Sequence, residues 1–92
     1  MVSSSKKSKK SVETTDLKKE GRFLILHNDN FNTFDYVINT LCEVCNHNEA
    51  QAEQCAMITH YKGKCDIKRG TLDDLTVLKN ILLERKLSVT ID

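Results

Sequence analysis

Two short segments of the sequence carry side chains that could bind a cation. Asn28, Asp29 and Asn30 follow an apolar run that ends at Leu26, and His60 lies one turn before a glycine that would stop a helix. Amide and carboxylate oxygens and the neutral imidazole nitrogen all accept hydrogen bonds. If the fold brings the two segments together, they predict a recognition site for a positively charged group attached to an apolar one.

The same side chains also have a structural interpretation. Short polar residues such as Asn28 cap helices and form turns, and His60 could interact with the negative end of a helix. Periodicity alone favours this interpretation over a binding site. It accounts well for Asn32 as a helix cap and less well for Asn28, because one turn-forming residue would have been enough.

Sequence motifs of enzymes are not found. The chain has no phosphate-binding glycine-rich loop, no G-x-S-x-G sequence and no H-E-x-x-H sequence. Cys55 and His60 could act as nucleophile and base, but residues that face each other on a helix are three or four positions apart, not five. We therefore predict a protein that is not an enzyme and needs no cofactor.

Four cysteines raise the question of a metal or redox site. Cys42 and Cys45 have the spacing of zinc ligands or of a thioredoxin-type dithiol, and Cys55 and Cys65 follow. The C-x-x-C pair lies inside an apolar helical pattern, however, rather than at a helix N-terminus where a thiolate is stabilised. Small buried thiols are common in protein cores, so we expect no metal.

The cation-binding segments must be positioned by the elements around them. A continuous apolar run at residues 23–26 predicts a first strand. Asn32 and Asp35 have the spacing of a capping box, and apolar residues at helical spacing extend the first helix to about Cys45. Asn48 opens a second helix that Gly63 ends.

The rest of the chain predicts three further elements. Alternation at residues 65–69 indicates a strand with one exposed face, and Gly70 turns the chain. Thr71 and Asp74 give a third capping signal, for a helix that reaches Arg85. Alternation at residues 87–91 indicates a closing strand. The fold class is therefore α+β, in the order strand-helix-helix-strand-helix-strand, with three helices packed on a small three-stranded antiparallel sheet.

Charge divides the chain into a tail and a core. The whole chain has 14 basic and 13 acidic residues, but residues 1–20 hold six lysines against three acidic residues. This serine- and lysine-rich segment predicts a disordered tail before a core domain at residues 21–92. The sequence has no secretion signal and no run of membrane-spanning length. We expect a cytoplasmic protein that binds neither membranes nor nucleic acid.

Residues 23–64 resemble the ClpS family of adaptors, which deliver substrates to a Clp-type AAA+ protease. The resemblance rests on two motifs at the family's separation, similar to L-x-N-D-D-[YF/H]-T and H-x-x-G-[KR]. Asn30 departs from the first motif, where the family has a second aspartate. The residues that carry the resemblance are Leu24, Ile25, Leu26, His27, Asn28, Asp29, Asn30 and Phe31, and then His60, Tyr61, Lys62, Gly63 and Lys64.

The resemblance implies a role for particular residues. Family members bind the N-terminal residue of proteins that begin with Leu, Phe, Tyr or Trp, which marks those proteins for degradation. By similarity, the α-ammonium would be bound by Asn28, Asp29, Asn30 and His60. The apolar pocket for the first side chain would be lined by Phe34, Val37, Ala56, Thr59 and Leu87.

The resemblance also implies partners. The core would dock on the N-terminal domain of a Clp-type AAA+ unfoldase, and the unfoldase would engage the N-terminal tail during transfer of the substrate. Nothing in the sequence suggests an obligate dimer, so we expect a monomer. Two other hypotheses remain open from the sequence: a structural interaction domain of the same fold without a peptide pocket, and a nucleic-acid or zinc protein that uses the lysine tail and the C-x-x-C pair.

Overall fold

Six elements follow one another in the computed structural model, which describes residues 21–92. They are β1 (Arg22–His27), α1 (Phe34–Cys45), α2 (Glu49–Lys62), β2 (Lys64–Gly70), α3 (Leu72–Glu84) and β3 (Ser88–Ile91). Their order and types confirm the predicted α+β class. The tail at residues 1–20 lies outside the described residues, so its disorder and the domain boundary that follows it stay predictions.

The sheet has β1 at its centre, in the order β2-β1-β3, and both neighbours are antiparallel to β1. The register between β1 and β2 shifts after Leu24. Leu24 pairs with Lys68 and Ile25 pairs with Asp66, so Ile67 has no partner on β1. This bulge interrupts the alternation that the sequence predicts for β2. Arg69 beyond it is exposed, with its guanidinium carbon 5.8 Å from the ring centre of Phe23.

Helix caps agree with the prediction at two helices and differ at the first. Asn48 and Thr71 each accept a hydrogen bond from the backbone three residues later, at Gln51 and Asp74. For α1 the cap is Thr33, whose hydroxyl accepts from the backbone N–H of Tyr36 at 3.1 Å, so the assignment of Asn32 as the N-cap is wrong. Asparagine and threonine are both common N-cap residues, and in this helix Thr33 rather than Asn32 has that role.

The core lies between the three-stranded sheet and the three helices. All three strands contribute inward-facing apolar side chains, and each helix contributes buried ones, which in α2 are the small residues Ala52 and Cys55. None of the helices within the described residues is long and apolar enough to cross a membrane. The buried cluster consists of Leu24, Leu26, Leu41, Cys45, Ala52, Cys55, Ile67, Leu75, Leu82, Leu87 and Val89.

The loop between α1 and α2 is held to the sheet by a histidine. His47 is buried, and its Nε2 lies 2.7 Å from the carbonyl oxygen of Ile67, the residue at the bulge. Since a carbonyl oxygen can only accept, Nε2 carries the proton in this contact. No local pattern predicts this role, because the partner lies 20 positions away in the chain.

Candidate functional site

A cavity of about 340 Å³ opens between the loop after β1 and the facing ends of α1 and α2. The loop supplies the polar side of the cavity, and the two helices together with the end of β1 supply apolar groups. The cavity is lined by Leu26, His27, Asn28, Asp29, Asn30, Asn32, Thr33, Phe34, Val37, Ala56, Thr59 and His60.

A main-chain hydrogen bond brings the two polar segments together. The N–H of Asn28 donates to the carbonyl oxygen of Gly63 at 2.9 Å. Gly63 ends α2 with φ at 96°, and its own N–H donates to the carbonyl oxygen of Thr59 at 2.9 Å. Because the end of α2 is fixed against the end of β1, His60 faces the same cavity as Asn28. This is the arrangement that the two motifs predict.

The carboxylate of Asp29 is bound within its own loop. Its Oδ1 accepts from the backbone N–H groups of Phe31 at 2.9 Å and of Asn32 at 2.8 Å, and its Oδ2 accepts from Nδ2 of Asn32 at 2.8 Å. Partial burial acts to raise the pKa of Asp29, but these hydrogen bonds outweigh it and hold the pKa below its usual range. The carboxylate is therefore ionised near neutral pH and shapes the loop.

Three other polar side chains at the cavity keep their hydrogen-bonding capacity. Asn28, Asn30 and His60 are exposed, and they take part in none of the side-chain hydrogen bonds found within residues 21–92. Two amide oxygens and one imidazole nitrogen can accept hydrogen bonds from a bound ligand. The negative end of α2 and the charge of Asp29 add a potential that favours a cation.

The apolar side of the cavity is formed mainly by buried side chains. Leu26 and Ala56 are buried, and Val37 is half-buried. Thr59 is buried as well, and its hydroxyl donates to the carbonyl oxygen of Cys55 at 2.8 Å, so its polar atom is already satisfied. This surface can contact a ligand side chain without leaving a polar group unpaired.

Phe34 lies at the edge of this apolar surface. It is 40% exposed, and its ring meets that of His60 edge-on, with the centroids 6.0 Å apart and an angle of 89°. His60 also contacts Tyr61 at 4.9 Å between centroids. These contacts hold the imidazole in place at the cavity.

One residue predicted for the pocket lies elsewhere, and four cavity residues were not predicted for the site. Leu87 is buried in the core cluster and is not among the residues that line the cavity. The four additional residues that line it are Leu26, His27, Asn32 and Thr33. Nε2 of His27 is 2.8 Å from the hydroxyl of Thr90. All four lie within three positions of the polar segment 28–30, which is the one signal that could have included them.

The four thiols are separate from this cavity. Burial raises the pKa of Cys45 to about 11, and burial together with the neighbouring Cys55 raises that of Cys65 to about 12. Burial also raises the pKa of Cys55, which disfavours it as a nucleophile paired with His60. Within residues 21–92 no group of three or more potential ligands is arranged to hold a metal ion.

Comparisons with known proteins agree with the architecture. The model of the family described as "ATP-dependent Clp protease adaptor protein ClpS" matches residues 18–90. Among solved structures, the chain is similar to that of Agrobacterium tumefaciens ClpS2 bound to L-phenylalaninamide, with 18% sequence identity and a TM-score of 0.70. That match covers 80% of this chain and 96% of the other. No curated protein sequence matches the chain.

Proposed function

This chain belongs to the ClpS family of ATP-dependent Clp protease adaptors, which are not catalytic, and we propose that its cavity binds the free N-terminal residue of protein substrates. The substrates begin with Leu, Phe, Tyr or Trp. Their α-ammonium is bound by Asn28, Asn30 and His60 beside the charge of Asp29. The adaptor then delivers them to a Clp-type AAA+ unfoldase.

One observation carries this proposal: three acceptors without partners among the described residues line the same cavity as buried apolar side chains. An α-ammonium has three N–H donors and a positive charge, so it can satisfy several converging acceptors at once. An internal residue of a polypeptide has no such group and would leave the acceptors unpaired, at a cost of about 1–3 kcal/mol. The cavity therefore favours a chain end.

The apolar lining of the cavity favours a peptide whose first side chain is large and apolar. Leu26, Val37, Ala56 and Thr59 offer contact surface, with Phe34 at the edge, and the volume of about 340 Å³ can admit an aromatic ring. Full burial of a Leu or Phe side chain would stabilise the complex by about 1.5–3 kcal/mol. The likeness to ClpS2 bound to L-phenylalaninamide supports the same pairing, since that molecule has a free α-amino group next to a benzyl side chain.

The partners follow from membership of the family. We propose that the core at residues 21–92 docks as a monomer on the N-terminal domain of the unfoldase in the cytoplasm. The basic tail at residues 1–20 would be the segment that the unfoldase engages during transfer of the substrate. Nucleic acid, membranes and metal cofactors have no part in this function.

A peptide titration tests the proposal. The affinity of the full chain is measured for a peptide that begins with Phe, for its N-acetylated form, and for peptides that begin with Leu, Ala or Asp. We expect the free Phe and Leu peptides to bind. The acetylated form should bind at least tenfold more weakly, because acetylation removes the charge and two of the three donors.

Two variants test whether the peptide binds at this cavity. Asn28→Ala and His60→Ala should each weaken binding of the Phe peptide by about tenfold. Asn39→Ala is the matched control, since Asn39 is an exposed amide on α1 that does not line the cavity. Equal binding of the free and acetylated peptides would overturn the ammonium mechanism. Binding of the unfoldase without any peptide selectivity would favour a structural interaction domain of this fold.

A further inference from the structure

The side chain of Asn32 has a role that the helix cap does not explain. Thr33 caps α1, so Asn32 is free to bond elsewhere. Its Nδ2 donates to Oδ2 of Asp29 at 2.8 Å and to the carbonyl oxygen of Lys86 at 2.9 Å. Lys86 lies 54 positions further along the chain, in the turn between α3 and β3. One amide group thus joins the ammonium loop to a distant turn.

We propose that Asn32 is a positioning residue for the ammonium site. This inference rests on the proposed function and deepens it. By holding the carboxylate of Asp29 and fixing it to the α3–β3 turn, Asn32 sets the conformation of the loop that presents Asn28 and Asn30. It need not contact the substrate, because it acts through Asp29 and the backbone of the loop.

The hydrogen bonds around Asp29 show how this positioning works. Asn32 supplies a backbone donor to Oδ1 and a side-chain donor to Oδ2, so both carboxylate oxygens are bound to the same residue. Asn28 and Asn30 are the immediate neighbours of Asp29 in the chain. Because Oδ1 also accepts from the backbone N–H groups of Phe31 and Asn32, the carboxylate restrains the backbone that carries both amides. Hydrogen bonds to a charged acceptor are stronger than neutral ones, so this contact can hold a short loop in one conformation.

The second bond of the amide fixes the loop to a rigid support. Lys86 has φ at 71°, a left-handed conformation that is uncommon outside glycine, and its N–H donates to the carbonyl oxygen of Leu83 at 3.0 Å. The neighbouring carbonyl of Arg85 accepts from the hydroxyl of Tyr36 at 2.7 Å. The turn is therefore held from two sides, and Asn32 connects the ammonium loop to it.

The first test compares three variants in the full chain. Asn32→Ala removes both side-chain bonds, Tyr36→Phe removes only the other bond to the turn, and Asn39→Ala is a matched surface control. The affinities for peptides beginning with Phe and with Leu are measured together with the melting temperature. We expect Asn32→Ala to weaken both peptides by the same factor, about tenfold, since the loss concerns the ammonium and not the side chain. Asn39→Ala should stay within about twofold, and Tyr36→Phe, which keeps both side-chain bonds of Asn32, should lose less affinity than Asn32→Ala.

The second test uses Asn32→Asp, which keeps the shape of the side chain but exchanges the donor for a carboxylate. Two facing carboxylates repel each other, and the pKa of one of them rises. Near neutral pH this variant should bind more weakly than the wild type, although added negative charge by itself would strengthen binding of a cation. As the pH falls, one carboxyl group gains a proton and can donate to the other. The ratio of variant to wild-type affinity should therefore recover at acid pH, whereas that of Asn32→Ala should not.

The outcomes separate this inference from the proposed function. If the wild type does not distinguish free from acetylated peptide, the proposed function fails. If the wild type does distinguish them but both Asn32 variants bind like the wild type, the positioning role is overturned. A fall in melting temperature without a change in affinity, or an Asn32→Asp ratio that does not change with pH, would also overturn it, since either leaves Asn32 with a structural role only.

Discussion

The backbone N–H of Asn28 donates to the carbonyl oxygen of Gly63 at 2.9 Å, and this bond joins the two polar motifs of the chain. One residue follows the central strand and the other ends α2. Their contact sets Asn28 and His60 beside the same cavity. The geometry of the proposed ammonium site therefore depends on how α2 ends.

Gly63→Ala should destabilise the fold. The residue has φ at 96°, where an L-residue is strained, although an added Cβ would meet no atom within 4 Å. We expect a loss of about 1–2 kcal/mol, or a fall in melting temperature of about 4–8 °C per kcal/mol for a domain of this size. Thermal unfolding followed by circular dichroism measures it. Gly63→Asn should lose less, because asparagine tolerates this conformation.

The control for this prediction is Gly70→Ala at the end of β2. Gly70 has no positive φ, and its added Cβ would lie 3.6 Å from the side chain of Leu75, which is ordinary contact. Its melting temperature should change less than that of Gly63→Ala. Equal losses for the two variants would contradict the argument from backbone strain.

Ala56→Leu should change which N-terminal residue is bound. Ala56 is buried on the apolar side of the cavity, and three added carbon atoms would occupy space proposed for the first side chain. Affinity for a Phe peptide should fall by about tenfold or more, because overpacking costs about 1–3 kcal/mol, and a peptide that begins with Ala should lose less. Ala50→Leu, on the exposed face of the same helix, is the control. Equal losses for all peptides would argue that the cavity does not hold the first side chain.

Element types could be predicted from the sequence because their signals are local. Apolar spacing and the cap residues Asn48 and Thr71 lie within one or two turns of what they determine. The first residue of α1 is less well determined by the local sequence, since Asn32 and Thr33 are both good N-caps and long-range hydrogen bonds determine which of them caps the helix. Asn32 is bound to Lys86 across the fold. The bulge at Ile67, which His47 contacts from a distant loop, had no local signal either.

The candidate site also has some features that the sequence predicts and others that it does not. His60 and Asn28 could be predicted as a pair from two motifs, and the fold does bring them to one cavity. The sequence could not show that the carboxylate of Asp29 is bound by Asn32, because this depends on the path of a six-residue loop. Leu87 was assigned to the pocket only by analogy, and in the structure it lies in the core.

Asp29→Asn should reduce stability at neutral pH and lose this effect in acid. The folded-state pKa of Asp29 lies below its usual range, so its contribution is fully present above the unfolded value near 3.9 and is lost as the pH falls through the lower folded value. We expect a difference of about 1 kcal/mol at pH 7. Thermal unfolding of both proteins between pH 7 and 2.5 measures it. Glu53→Gln, at an exposed carboxylate, should show no such convergence.

Cys65 should react slowly with alkylating reagents although it is only half-buried. Burial and the neighbouring Cys55 raise the pKa of its thiol to about 12, well above pH 8, so at that pH very little of the reactive thiolate is present. A free cysteine peptide with an ordinary pKa is about a quarter ionised at that pH. Peptide mapping after timed exposure to iodoacetamide should therefore show that Cys65 is modified at least about a hundredfold more slowly than the free peptide, and the difference should vanish in denaturant.

The same sample should hold no zinc after dialysis. Fast alkylation of Cys65 in the folded chain would contradict its raised pKa. Stoichiometric zinc that protects the thiols would restore the metal hypothesis that the C-x-x-C spacing first raised.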